Sequence, residues 1–356
     1  MYKRWTTLVS LLLLAAFAAL LTLFFISAFH IRQLAQSLVS MPSVEQSQQP
    51  RVVLIAQEAD NPFWREIEQG ARAAAETFAL SLSYIGPSRI NPEEQIRLLS
   101  KIITSKPYAI VVQGLNNPTY RALIDEAYSL GIVIVTIDAD EQDSKRLAYV
   151  GSDNRKAGQQ LGEQVVSATG GSGQIGVLMG SSAINQKLRL QGFKDAIAPY
   201  PLLRIVDIRT TSNSRLRAAE QTAELLQEHP AVRAVVGLSA LDGPGMAEAV
   251  RRLEGRSASD SDSLGLNNSR TLQKAADSAS TLNRPALYAF DLLPGTRDAI
   301  SQCDIAATIL QKPYEIGYEA VKLLQGLAPA GQKPASIFTE TTVMTRQKLG
   351  LQGSCP

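Results

Sequence analysis

The chain has 356 residues, which exceeds one comfortable hydrophobic core and favours two lobes with additional segments. Its 35 basic and 33 acidic residues nearly balance, so the charge gives no support for a nucleic-acid partner or a strongly acidic one. The apolar fraction of 45% is ordinary for a globular protein, although the first thirty residues raise it.

The N-terminal segment predicts a membrane anchor. Lys3 and Arg4 precede an uncharged run over Trp5–Phe29. A bilayer-spanning helix needs about 20 apolar residues, whereas the core of a cleaved signal peptide has about 7–15. We therefore predict that residues 1–32 form a short cytoplasmic start and an uncleaved single-pass anchor, with a cleaved signal peptide as the alternative. Basic residues on the short side place the remainder outside the cytoplasm, after a tether over residues 33–50.

Beyond the tether, short β-branched runs alternate with stretches that carry apolar residues at helical spacing. The predicted strands are Val52–Ala56, Leu82–Ile85, Ala109–Val112, Ile132–Ile137 and Leu147–Val150, and the predicted helices are Trp64–Phe78, Pro92–Ser105 and Thr119–Leu130. This alternation implies right-handed crossovers and a parallel sheet covered on both faces.

The same pattern then begins again. The predicted helices are Gly158–Ala168, Leu188–Ile197, Arg215–Glu228, Gly245–Leu253 and Tyr314–Leu324, and the predicted strands are Gln174–Met179, Leu203–Ile208, Ala234–Leu238, Ala286–Phe290 and Ile305–Ile309. We therefore predict an α/β protein with two Rossmann-like lobes, parallel sheets and a cleft between the lobes. The segment Gly255–Asn283, rich in Ser, Asp and Asn, is interpreted as a surface insertion of low order, with a partner-docking loop as the alternative.

Candidate ligand-binding residues follow the predicted strands, where open α/β sheets bind small molecules. Asp60–Trp64 follows the first strand, and Asp138 and Asp291 each end another. An aromatic face can cover the C–H face of a sugar, and carboxylates such as Asp60 accept hydroxyl protons. Structural roles stay open, because Asn61 and Pro62 also fit the start of a helix and each aspartate also fits a loop cap.

Two further polar residues are candidates for the same cleft. Arg189 lies on a predicted helix, and Gln311 follows a strand where the chain is expected to cross between the lobes.

The sequence contains few signs of catalysis, since His30 and His229 belong to no metal-ligand pattern and no nucleophile or phosphate-binding motif is present. We predict a protein that is not an enzyme and has no cofactor or metal.

The chain contains two cysteines, Cys303 and Cys355. In an oxidising exterior they could form a disulfide. Two separate reduced thiols are the preferred interpretation, and the disulfide is the alternative.

Several separate motifs, in this order, give the chain a specific resemblance to a known family. They are Asp60-Asn61-Pro62-Phe63-Trp64, Val135-Thr136-Ile137-Asp138, Gly151-Ser152-Asp153-Asn154 with Gly158, Arg189-Leu190-Gln191-Gly192-Phe193, Ala289-Phe290-Asp291, and Ala307-Thr308-Ile309-Leu310-Gln311 followed by Ile316-Gly317. From about Arg51 to about Leu349 the chain resembles the type I periplasmic sugar-binding proteins, in the ribose- and galactose-binding branch.

The resemblance implies a clamp of two lobes joined by three crossovers. The implied first lobe is 51–151 with 312–338, the second is 152–311 with 339–356, and the hinge lies near Ser152, Gln311 and Phe338. The positions that match ligand contacts of the family are Asn61, Phe63, Trp64 and Asp138 in the first lobe, with Arg189, Asp291 and Gln311 in the second lobe and hinge.

Two departures from the family pattern bear on the ligand. The family has Asn before Asp where this chain has Ser239 and Ala240, and Asp242 is the candidate replacement. Ribose binders tend to carry Arg after the first-lobe aspartate, whereas Ala139 stands here, so ribose is not the favoured ligand.

The resemblance implies an extracytoplasmic receptor that closes on a monosaccharide-like ligand and delivers it to an ABC transporter. The alternative is a membrane-tethered, sugar-sensing co-receptor that signals to a histidine kinase, which the predicted anchor favours. A different small polar ligand, such as an autoinducer, stays open.

Overall fold

The computed structural model describes residues 21–28, 49–263, 284–325, 335–352 and 355, without the side chains of 256–263. The chain divides into two compact units, residues 1–49 and residues 50–356. In the first unit residues 21–28 are helical, and the rest of the predicted anchor and nearly all of the tether lie outside the described residues. Over the part of the chain that is described, no helix has both the length and the apolar character needed to cross a membrane.

The second unit contains strands and helices in close alternation. The strands are β1 Arg51–Ile55, β2 Ser81–Ile85, β3 Ala109–Gln113, β4 Val133–Ile137, β5 Ala148–Ser152, β6 Ser172–Met179, β7 Leu202–Thr210, β8 Val232–Gly237, β9 Ala286–Phe290, β10 Ile305–Leu310, β11 Ala335–Thr339 and β12 Thr342–Thr345. The helices are α1 Pro62–Thr77, α2 Pro92–Thr104, α3 Pro118–Ser129, α4 Asn154–Thr169, α5 Ile184–Ile197, α6 Arg215–Glu228, α7 Asp242–Ser263, α8 Pro294–Ser301 and α9 Pro313–Lys322.

The strands form two six-stranded sheets, which gives the two-lobed α/β fold predicted from the sequence. The first sheet has the order β11-β5-β4-β3-β1-β2 and the second has the order β12-β10-β9-β8-β6-β7. Pairing is parallel throughout the first sheet. The prediction of parallel sheets is wrong for the second sheet, because β12 pairs antiparallel with β10. Neither β11 nor β12 was predicted as a strand, since both are short and lie after the regular alternation ends.

The chain passes between the two sheets three times within the described residues. It leaves the first sheet after β5, returns to it after β10, and leaves it again between β11 and β12. The exact lobe boundaries stay a prediction, but these passages lie close to the three predicted crossovers.

Each sheet is buried on both faces, as parallel sheets require. In β1, Val52 and Leu54 enter one apolar cluster while Val53 and Ile55 enter another on the opposite face. Two more clusters cover the faces of the second sheet.

Close helix packing positions the floor of the cleft. A Cβ added at Gly158 of α4 would lie 2.0 Å from the carbonyl oxygen of Arg189 in α5. The two backbones therefore touch at this point, which holds Arg189 against the second sheet.

Two regions differ from the expectations from sequence. Helix α7 extends to Ser263, so the first part of the predicted insertion is helical, and residues 264–283 lie outside the described residues.

Cys303 and Cys355 form a disulfide with a Cα–Cα distance of 5.5 Å, so the preference for separate thiols is wrong. The pairing was invisible in the sequence because it depends on the C-terminal segment returning to the end of α8.

Candidate functional site

A cavity of about 80 Å³ opens at the carboxyl ends of the strands and has walls from both sheets. By this measure one water needs about 10–15 Å³, so several water molecules or a small polar ligand can occupy it. The first-sheet side contributes Gln57, Asn61, Phe63, Trp64, Ile90, Gln113 and Asp138, and the remaining lining residues are Ser181, Ala183, Asn185, Gln186, Arg189, Asn213, Ser239, Ala240, Leu241, Asp291 and Gln311.

The structure brings most of the sequence-predicted site residues to this one cavity. Those that line it are Asn61, Phe63, Trp64, Asp138, Arg189, Ser239, Asp291 and Gln311. The two that do not line it are Asp60, which is exposed in the turn before α1, and Asp242, which is fully buried.

Asp242 supports the cavity wall from behind. Its carboxylate accepts hydrogen bonds from Thr211 Oγ1 at 2.7 Å and from the Ser239 backbone N–H at 2.8 Å. Both carboxylate oxygens are therefore occupied by protein donors, which differs from the predicted role as a replacement ligand contact.

The aromatic part of the cavity comes from the first turn of α1. Asn61 caps this helix by accepting from the Phe63 N–H at 3.0 Å, and Pro62 occupies the first helical position. Phe63 and Trp64 both line the cavity, with their rings nearly perpendicular at 83°, and Trp64 is 2% exposed and also belongs to the apolar cluster beneath the first sheet. Asn61 therefore caps α1 and also lines the cavity, so the two roles that the sequence left open apply together.

Asp138 stands at the end of β4 with a φ of 60°, a left-handed conformation that Asp tolerates better than most residues. Its Oδ2 accepts from Gln113 Nε2 at 2.5 Å and from Asn185 Nδ2 at 3.2 Å. Burial raises the pKa of the Asp138 carboxyl, while Arg189 and these two hydrogen bonds oppose that effect. Because Asn185 belongs to α5, the second bond joins the two lobes across the cleft.

Asp291 occupies the equivalent position after β9, with a φ of 62°. Its Oδ1 accepts from Gln311 Nε2 at 2.9 Å. Burial raises the pKa of Asp291 to about 6, against the lowering effect of Arg189 and Gln311, with Asp138 adding to the increase.

Arg189 is the cation at the base of the cavity and is 3% exposed. Its Nε donates to Asn154 Oδ1 at 2.8 Å, its Nη1 to the Leu238 carbonyl at 2.9 Å and its Nη2 to Gln311 Oε1 at 3.2 Å. The guanidinium lies 3.8 Å from the centre of the Phe290 ring. Burial lowers the Arg189 pKa, and Asp291 and Asp138 oppose that decrease. The guanidinium is thus held by three protein acceptors and also interacts electrostatically with the buried carboxylates of Asp291 and Asp138.

Two buried polar atoms of the cavity wall have no hydrogen-bond partner among the described residues. They are Gln113 Oε1 and Ser239 Oγ. Buried polar atoms are nearly always paired with protein or ordered water, so each of these atoms favours a water or a ligand group in the cavity.

Sequence reasoning missed part of the cavity lining. Gln57, Gln113, Ser181 and Asn213 all follow or end strands, so the same strand-end rule that selected Asp138 could have selected them. The residues of the first turn of α5 had no such signal, because their approach to the cavity depends on how the lobes meet.

Away from the cavity, Asp207, Glu228 and His229 place possible metal-ligand atoms within 4.8 Å of one another. Arg209 already occupies both carboxylates, at 2.6 Å from Asp207 and 2.7 Å from Glu228. The proximity of Asp207, Glu228 and His229 is therefore accounted for by an ion-pair network around Arg209, without a metal ion.

Comparison with known proteins places these features in a family. A profile of the periplasmic binding protein domain matches residues 52–333. The D-ribose/D-allose-binding protein of Pseudomonas aeruginosa is 27% identical over 224 residues, which cover 60% of this chain and 70% of that protein.

Two solved structures extend the similarity over most of the chain. The crystal structure of GanP, a glucose-galactose binding protein from Geobacillus stearothermophilus, has a TM-score of 0.74 and 35% identity, covering 85% of this chain and 99% of that one. A chain in the XylFII-LytSN complex has a TM-score of 0.70 and 30% identity, covering 84% and 99%. With a matching profile over most of its length, two six-stranded sheets and a cavity between them, the chain belongs to the type I periplasmic binding proteins, in the ribose- and galactose-binding family.

Proposed function

We propose that the protein is an extracytoplasmic receptor that binds a monosaccharide-like ligand and delivers it to an ABC transporter. The cavity is the observation that carries this proposal: it combines the Trp64 and Phe63 rings with two buried carboxylates and several amides. An aromatic face favours sugar C–H groups, and carboxylates and amides pair with sugar hydroxyls. The sugars in the names of similar proteins, ribose, allose, glucose and galactose, define the first ligands to examine.

Binding closes the two lobes around the ligand. The three chain passages between the sheets form the hinge, and the ligand contacts residues on both sides, so it favours the closed state by its higher affinity for it. The hydrogen bond from Asn185 Nδ2 to Asp138 Oδ2 at 3.2 Å is a direct contact between the lobes in this structure.

Calorimetric titration of the purified protein with pentoses, hexoses and polyols tests the proposal. We expect saturable binding of one sugar, weakened about 10- to 100-fold by Asp138→Ala or Asp291→Ala, since hydrogen bonds to charged groups contribute about 1.5–3 kcal/mol. Asp298→Ala, which removes an exposed carboxylate of α8, is the matched control and leaves affinity unchanged. No binding across the panel would contradict the sugar-receptor function.

A second candidate function is that of a membrane-tethered co-receptor that presents the closed clamp to a histidine kinase. The similar chain solved together with LytSN supports a partner-binding role for a protein of this shape. Neighbouring genes discriminate the two functions, because permease and ATPase genes support transport, while kinase and response-regulator genes support sensing.

The N-terminal anchor is part of the same proposal. The uncharged run over Trp5–Phe29, with basic residues before it, supports an uncleaved single-pass helix. Alkaline carbonate extraction of cell membranes tests this: the full chain stays in the pellet, and a chain lacking residues 1–32 is released. Release of the full chain would contradict the anchor.

A further inference from the structure

The two walls of the cavity differ in chemistry. Both aromatic residues among the described lining residues, Phe63 and Trp64, lie on the first-sheet side. The second-sheet side has no ring among the described lining residues and presents hydroxyl and amide groups from Ser181, Asn185, Gln186, Asn213 and Ser239, together with the small or aliphatic side chains of Ala183, Ala240 and Leu241. Rings therefore reach a bound ligand from the first-sheet side alone, although that side also carries the polar Asn61, Gln113 and Asp138.

The polar wall is held in a fixed arrangement. Gln186 accepts from the Ser181 N–H at 3.1 Å and donates through Nε2 to Asn213 Oδ1 at 3.3 Å. A Cβ at Gly180 would lie 1.9 Å from Asn213 Oδ1 and 2.8 Å from Ser239 Cβ, so both side chains pack directly on the Gly180 backbone. Asn213 also has a φ of 50°, a conformation that Asn tolerates. These contacts hold the Asn213 and Ser239 side chains against the turn that follows β6.

The hydrogen bonds define what the polar wall offers. Asn213 Oδ1 already accepts a hydrogen bond from Gln186 Nε2. The amide NH2 of Asn213 is therefore the group that can donate a hydrogen bond to an acceptor atom of the ligand. Among the described residues Ser239 Oγ has no partner at hydrogen-bond geometry, and its proximity to Asp242 opposes the increase that burial causes in the pKa of that carboxyl. Covering these groups with a C–H face would leave them unpaired, which is unfavourable, whereas a hydroxyl pairs with them.

We infer, on the basis of the proposed function, that the cavity selects monosaccharides with one C–H face and one hydroxyl-bearing face, and that Asn213 and Ser239 determine this specificity. Pyranoses with an axial hydroxyl have such unequal faces. The β-pyranose forms of D-glucose and D-xylose, whose ring hydroxyls are all equatorial, present C–H groups on both faces and match only the side that carries the rings.

Calorimetric titrations with epimers test the inference. D-Mannose, D-allose and D-galactose each place one hydroxyl of D-glucose axially, and D-ribose and L-arabinose are compared with D-xylose. We expect at least one axial epimer to bind about 10-fold or more tightly than its all-equatorial reference, as sites built for a hydroxyl discriminate strongly. Asn213→Ala and Ser239→Ala should each reduce that ratio, mainly by weakening the axial epimer.

Asn116→Ala is the matched control, because Asn116 is exposed, lies outside the cavity and has a similar φ of 51°. It should leave the ratio unchanged, and circular dichroism verifies the fold of each variant. Equal or tighter binding of D-glucose and D-xylose would overturn the inference while leaving the sugar receptor intact. The inference would also be overturned if Asn213→Ala and Ser239→Ala weakened the binding of the axial epimer and of its all-equatorial reference by the same factor. Absence of any sugar binding would overturn the proposed function, and the inference with it.

Discussion

The raised pKa of Asp291 makes the stability of the ligand-free protein depend on pH. Burial favours the neutral carboxyl and raises its pKa from 3.8 to about 6. Asp291→Asn keeps the shape of the side chain, the acceptor for Gln311 and the tolerance for the positive φ, but it removes the titration. The substitution therefore isolates the cost of a buried negative charge.

The size and sign of the effect follow from the two pKa values. A raised folded-state pKa means that the contribution of this group to stability is complete below about pH 4 and is lost as the pH rises through about 6. The difference of about 2 pKa units, at about 1.4 kcal/mol per unit, corresponds to about 3 kcal/mol. Burial also raises the pKa of Asp138, which adds a loss of the same sign in both the wild type and the variant.

Urea unfolding measured at intervals from pH 4 to pH 7.5 tests this reasoning. Across that range the unfolding free energy of the wild type should fall by about 2.5 kcal/mol more than that of Asp291→Asn, because pH 4 already lies slightly above the unfolded-state pKa of 3.8. Asp298→Asn, at an exposed position in α8, should follow the wild type. Parallel curves for the wild type and Asp291→Asn would refute the assignment of a raised pKa to Asp291.

Two further predictions concern packing and the disulfide. Gly70→Ala places a Cβ 1.9 Å from the Tyr314 carbonyl oxygen between α1 and α9, so we expect thermal and urea unfolding to report a loss of about 1–3 kcal/mol. Gly255→Ala, at a site with no described atom within 4 Å, is the matched control and should stabilise α7 by about 0.5–1 kcal/mol. An equal effect at both sites would contradict the close approach. Cys303→Ser opens a loop with a sequence separation of 52 residues, and urea unfolding should show a loss of about 4 kcal/mol, also seen on reduction of the wild type. Unchanged unfolding in Cys303→Ser would argue against the bond.

Polar residues that directly follow predicted strands are the site candidates that the sequence indicates, and this selection rule depends only on the local order of residues along the chain. A run of buried β-branched residues defines a strand, and the next residue must stand at the carboxyl edge of a parallel sheet. Asp138 and Asp291 were found in this way, and the structure places both at the cavity. The same rule selected Asp60, which is exposed in the turn before α1 and does not line this cavity, whereas the next residue, Asn61, caps the helix and does line it.

The sequence by itself determined the alternation of strands and helices, the two lobes and the family, since periodic burial and strand-end motifs are local properties. Only the tertiary structure decided that β12 runs antiparallel to β10, that Cys303 joins Cys355 and that Asn185 donates to Asp138 across the cleft. Each of these pairs segments that are distant along the chain, and their meeting depends on the packing of whole elements. The polar wall opposite the aromatic rings has the same origin, because its residues come from three separate strand–helix units.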